Sequence, residues 1–167
     1  MWYDDHPLRH YFAGLTEQTF IETFGLADPP LTDYLSTLLS RFIHVDVIFK
    51  IKASAVGTQL TEVADMLMEA ESIPREGRTS REMHRHIGDF ALFWVGVYPE
   101  SLKHLRNPMR KDYFMDYFEQ GKRSYLIAST FDKEPFVDEA PVLRRISDQF
   151  ELCAYGLSRV RREWEKK

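Results

Sequence analysis

Glu82, His86 and Asp89 stand four and three residues apart in the stretch TSREMHRHIGDFALFWVGVYPE, Thr79 to Glu100. On an α-helix that spacing puts all three on one face. Two carboxylates and an imidazole form a donor set suited to a divalent transition metal. His84 lies two residues before His86, about 200° around the helix axis, so it faces elsewhere. A second acidic series, Asp112, Asp116 and Glu119, repeats the 4-and-3 spacing among Tyr113, Tyr117 and Tyr125. If the two faces meet between helices at 80–98 and 109–131, Glu82, His86, Asp89, Asp116 and Glu119 become candidate ligands for a metal. The same pocket would suit paired acid and base groups. A structural reading competes with this one. Arg81 and Arg85 would pair with the acids, and Asp112 and Asp116 would favour the N-terminal half of their helix.

Spacings that mark specific chemistries are missing. There is no Glu-x-x-His, no His-Glu-x-x-His, no Gly-x-Ser-x-Gly and no glycine-rich phosphate loop. The single cysteine, Cys153, rules out paired Cys-x-x-Cys zinc sites and any intrachain disulfide. Cys153 also falls on an apolar helical seam, where it reads as a small buried hydrophobe. His6 and His10 are four apart and could share an ion if that segment were helical.

The elements that must position these residues are helical. Pro7 opens a first segment with Leu8, Tyr11, Phe12 and Leu15 at helical spacing. A short restart at Thr16 runs to Phe24, and Gly25 is the stop. Ala27-Asp-Pro-Pro30 is a turn. Leu31, Leu35, Leu38, Phe42, Val45 and Phe49 then form a heptad-like seam. Its β-branched tail, 45–51, is also strand-like, but the helix is expected to run to about Phe49, and 53–57 reads as a loop. Thr58 or Thr61 caps a helix with Leu60, Val63, Ala64 and Leu67 on one face. The segment 72–80, with Pro74 and Gly77, is expected to be a mobile loop, and Thr79 or Ser80 to cap the central helix. The run Phe90–Tyr98 is apolar on every side and belongs in the interior. Asn107-Pro108 starts a helix whose core face includes Tyr113, Phe114, Tyr117, Phe118, Tyr125 and Leu126, with a kink at Gly121. A loop around Pro135 leads to a last long helix. There Leu143, Ile146, Phe150, Cys153, Leu157, Val160 and Trp164 run 3, 4, 3, 4, 3, 4. That seam, edged by Arg144, Arg145, Arg159, Arg161 and Arg162, suits a core, a second copy of the chain or an acidic partner.

The fold expected is all-α, a single-domain bundle of about six mostly antiparallel helices over 1–167, with 1–6 loosely ordered. Length and composition agree: 167 residues, 44% hydrophobic and 29% charged, describe a globular chain. The net charge of −4 argues against a general nucleic-acid binder. It is unevenly spread, with 4 Lys+Arg against 11 Asp+Glu in residues 1–72 and 18 against 15 thereafter. No apolar run is long enough to span a membrane, and the N-terminal residues have no signal-peptide pattern. Cytoplasmic location is therefore expected. The functional expectation is a helical interaction protein without catalytic activity, self-associating as a homodimer or taking a protein partner. The alternative is a metal- or small-ligand-binding bundle, an enzyme included, built on the carboxylate/histidine pocket.

Overall fold

The computed structural model describes residues 7–56, 77–101 and 116–166, with side chains described outside 43–56 and 101. The chain is all-α. The described residues form helices α1 (Pro7–Phe24), α2 (Pro29–Val56), α3 (Arg78–Gly96), α4 (Tyr117–Ser129), α5 (Ala140–Asp148) and α6 (Phe150–Glu165). A 3-10 turn at Pro99–Ser101 follows α3, and none of the described residues is in a strand. None of these helices is long and apolar enough to cross a membrane.

The helices group into two compact units. The first holds α1, α2 and α6 from Gly156 onward. α1 is one uninterrupted helix, without the restart expected at Thr16. Gly25 ends it with φ +64° and its N–H donates to Ile21 O at 2.9 Å, a left-handed cap that glycine adopts without strain. Asp28 then starts α2, its carbonyl accepting the Thr32 N–H at 3.0 Å. The seam of α2 is buried where described: Leu31, Leu35, Leu38 and Phe42. The helix expected to about Phe49 is present and runs on to Val56, through the strand-like tail and into the segment expected as a loop. β-propensity is a weak local preference, and extending an existing helix costs much less than starting a new element. Phe20, fully buried, packs on Gly156; a Cβ there would lie 2.4 Å from its ring. Phe12 meets Trp164 edge to face, with centroids 5.2 Å apart.

The second unit holds α3, α4, α5 and α6 up to Tyr155. Residues 87–93 of α3 are all buried, as an all-round apolar run requires. α3 packs along α4, and α4 against α5. Two glycines allow the close approach. A Cβ on Gly88 would lie 2.9 Å from the Tyr125 ring, and one on Gly121 would lie 2.4 Å from Phe150. Gly121 is thus a contact point inside a continuous helix and not a kink. Ser147 of α5 donates to the Lys122 carbonyl of α4 at 2.8 Å.

Three expectations are corrected in this unit. α3 begins at Arg78 with Gly77 as its N-cap, so neither Thr79 nor Ser80 caps it. α4 begins at Tyr117, and Phe118 and Leu126 are exposed instead of core. The long terminal helix is two helices, parted at Gln149 (φ −116°, ψ 35°). Gln149 N–H still donates to Arg145 O, and Cys153 N–H to Gln149 O, both at 2.9 Å. One residue leaves helical geometry while the hydrogen-bond register carries on, so the 3-4 seam spacing survives the break. Leu143, Ile146, Phe150, Cys153, Leu157 and Val160 are all fully buried, so this seam is core and not a free interface. The expected helix at 58–71, the start at Asn107, and Tyr113 and Phe114 lie outside the described residues.

Candidate functional site

The first turns of α3 carry a cluster of opposite charges. Arg81 is only 2% exposed. Its Nη1 donates to Glu82 Oε1 at 2.5 Å and its Nη2 to Glu139 Oε1 at 2.6 Å. Its guanidinium lies over the Phe136 ring, 3.9 Å from the centroid, with Arg78 at 5.6 Å from the same ring. Arg85 donates to Glu82 Oε2 at 2.8 Å and approaches Glu139 at 3.6 Å. The loop 130–139 that brings Phe136 and Glu139 here thus roofs the start of α3. A buried arginine needs such partners, because an unpaired charge is costly away from water. Partial burial works against the Glu82 charge, but Arg85 and then Arg81 outweigh it and hold this carboxyl below its ordinary range.

Two turns further along α3, Asp89 is 1% exposed. The Tyr125 hydroxyl of α4 donates to its Oδ1 at 2.5 Å. His86, on the same stripe, is exposed, whereas His84 is half-buried and its burial pushes the imidazole pKa down. The shared stripe of Glu82, His86 and Asp89 exists, but it runs from the open end of the helix into the interior. The three side chains therefore differ in surroundings: Glu82 lies in an ion-pair cluster, His86 is exposed, and Asp89 meets a buried hydroxyl.

The second acidic series is arranged differently from the expectation. Asp116 lies before α4 in extended conformation (φ −91°, ψ 103°), as its N-cap. Its Oδ1 accepts the N–H groups of Phe118 at 3.0 Å and Glu119 at 3.2 Å. An Asp at this position satisfies donors that have no partner within the helix. Asp116 therefore shares no helical face with Glu119, whose side chain is 71% exposed and 3.9 Å from Lys122 Nζ. Asp112 lies outside the described residues. Lys122 pairs with Glu151 at the start of α6. Their mutual hydrogen bond raises the lysine pKa and lowers that of the glutamate.

Among the described residues, no three His, Cys, Asp or Glu side chains converge closely enough to hold a metal ion. Glu82, Asp89 and Asp116 each have a protein partner, His86 is exposed, and Glu119 projects into solvent near Lys122. Of the histidines expected at the N-terminus, His10 is exposed and His6 lies outside the described residues. Ser124 is buried and receives a hydrogen bond from Gln120 Nε2 at 3.0 Å, and Cys153 is a buried thiol in no disulfide.

Sequence reasoning missed Glu139, Phe136 and Tyr125 as the partners that decide this region. One signal pointed to Tyr125: Asp89 adjoins the apolar run of α3, and a carboxylate there requires a buried donor. Nothing local pointed to Glu139 or Phe136, which reach Arg81 from more than 50 residues away.

Compared with protein-family models, curated proteins and solved structures, the chain matches none.

Proposed function

We propose that the chain is a helical interaction protein, without a catalytic role, that associates with copies of itself. One observation carries this reading: Leu126 and Phe118, apolar residues at helical spacing on α4, stay 41% and 36% exposed. The residue types most capable of chemistry are meanwhile engaged in pairs that stabilise the helices, Glu82 with Arg81 and Arg85, Asp89 with Tyr125, and Asp116 with the α4 N-terminus. Large exposed apolar side chains grouped on one face favour association, whereas paired carboxylates favour rigidity. Cys153, a buried thiol in no disulfide, fits a reducing compartment, in keeping with the cytoplasm.

Size-exclusion chromatography with light scattering tests the reading. The mass is expected to exceed the 19.7 kDa monomer and to rise with loading concentration. A mass fixed at the monomer value at every concentration would contradict it.

A further inference from the structure

The loop 130–139 is tied to its unit by charge, with little apolar anchoring. None of residues 130–139 is buried, and Val137 is 42% exposed, so the loop places no side chain fully in the core. Among the described residues, its ionic and ring contacts all go to three arginines of α3. The Phe136 ring meets the guanidinium groups of Arg81 and Arg78, and Oε1 of Glu139 faces Arg81 at 2.6 Å and Arg85 at 3.6 Å. Glu139 is also the N-cap residue of α5, yet its carboxylate makes no capping hydrogen bond there. Its charge serves the contact with α3 and not its own helix.

Charge explains why the contact closes. Residues 130–139 hold Asp132, Glu134, Asp138 and Glu139 against Lys133, net −3. Residues 78–85 hold Arg78, Arg81 and Arg85 against Glu82, net +2. An acidic segment thus lies on a basic helix end. A segment with few buried apolar contacts opens at a free energy below that of global unfolding. The contacts that hold this one centre on Arg81, so one side chain decides whether it is closed. We infer that the loop 130–139 is an electrostatic strap, latched on Arg81 by Glu139 and Phe136, which opens by itself while α3, α4 and α5 stay folded. Closed, it pairs the charges at the start of α3. Open, it leaves Arg78, Arg81 and Arg85 with Glu82 alone, and the helix end becomes cationic. This device goes beyond self-association and does not depend on it.

Native-state hydrogen exchange in urea at one pH, followed by NMR, tests the strap. Two amides report on it: Phe136 N–H, which donates to Lys133 O at 2.7 Å, and Ala140 N–H, which donates to Phe136 O at 3.0 Å. The amides of the buried stretch 87–93 report on the core. In the wild type the strap amides should be protected, open more readily than the core, and show almost no dependence on urea, whereas core opening should rise steeply with it. E139Q keeps the shape and removes the charge, and it should raise strap opening about 10-fold at low salt. Raising NaCl from about 0.05 M to about 1 M should favour opening in the wild type and do so less in E139Q, which lacks the pair that salt screens. F136L, which removes the aromatic face, should raise opening at the Ala140 amide about 5-fold. Strap amides that are unprotected, or that share the opening constant and urea dependence of the core, would overturn the strap. Opening unchanged in both E139Q and F136L would overturn the latch on Arg81.

Discussion

The start of α3 and the start of α4 carry the same kinds of residues, acids and bases three and four apart, and the protein uses them in opposite ways. At α3 the loop 130–139 covers the helix end, and Arg81 is clamped between Glu82 and Glu139 over the Phe136 ring. At α4 no such cover is present among the described residues. Asp116 closes the first turn, while Glu119 remains in solvent. Covered charges must be matched one for one, and so they become structure. Uncovered ones are weak individually but leave a surface on which another molecule can act.

Mutations should separate the two regions by size of effect, read as unfolding free energy in denaturant. The largest loss is expected at the buried pair: Asp89→Ala should destabilise by about 3 kcal/mol, because it strands the Tyr125 hydroxyl and opens space. Arg81→Ala should follow at about 2 kcal/mol, the partial exposure of Glu82 and Glu139 softening the loss of their partner. Asp116→Ala should cost about 1 kcal/mol, the usual value of a helix cap. An Asp116→Ala effect larger than that of Asp89→Ala would reverse the assignment of structural and exposed ends.

Acid should act on the covered end first. His84 has its pKa lowered by burial, so the unfolded chain takes up a proton before the folded one. Stability should therefore fall as pH drops below 6.5, the ordinary histidine value, towards the lower folded value. Glu82 also has a lowered pKa. Its contribution is complete above 4.5 and lost as pH falls through its folded value. His84→Gln should remove the first of these two declines and Glu82→Gln the second, in stability measured against pH. A smaller expectation concerns metal. With Glu82, Asp89 and Asp116 already partnered, EDTA should leave the thermal midpoint unchanged.

Much of the fold is legible in the spacing of apolar residues. The seams of α2 and of α5 with α6 emerge directly, as does the burial of the run Phe90–Tyr98, of which only Trp94 and Tyr98 are half-buried. The break at Gln149 does not, because a single non-helical residue that keeps the hydrogen-bond register leaves the seam spacing intact. The site is less legible. Spacing correctly aligns Glu82, His86 and Asp89 on one stripe, but depth along the helix decides their chemistry, and depth depends on what covers each turn. Arginine is seldom fully buried, so nothing near Arg81 announces that a distant loop encloses it. Leu126 misleads in the other direction, because helical spacing with Phe118 reads equally well as core or as contact surface.

Backbone amide chemical shifts, followed over protein concentration, compare the two regions in one measurement. The amides of 118–126 should shift progressively as concentration rises, while those of 81–89 stay fixed. Shifts confined to 81–89, or a spectrum independent of concentration, would contradict an account in which the α3 end is structure and the exposed side of α4 is the working surface.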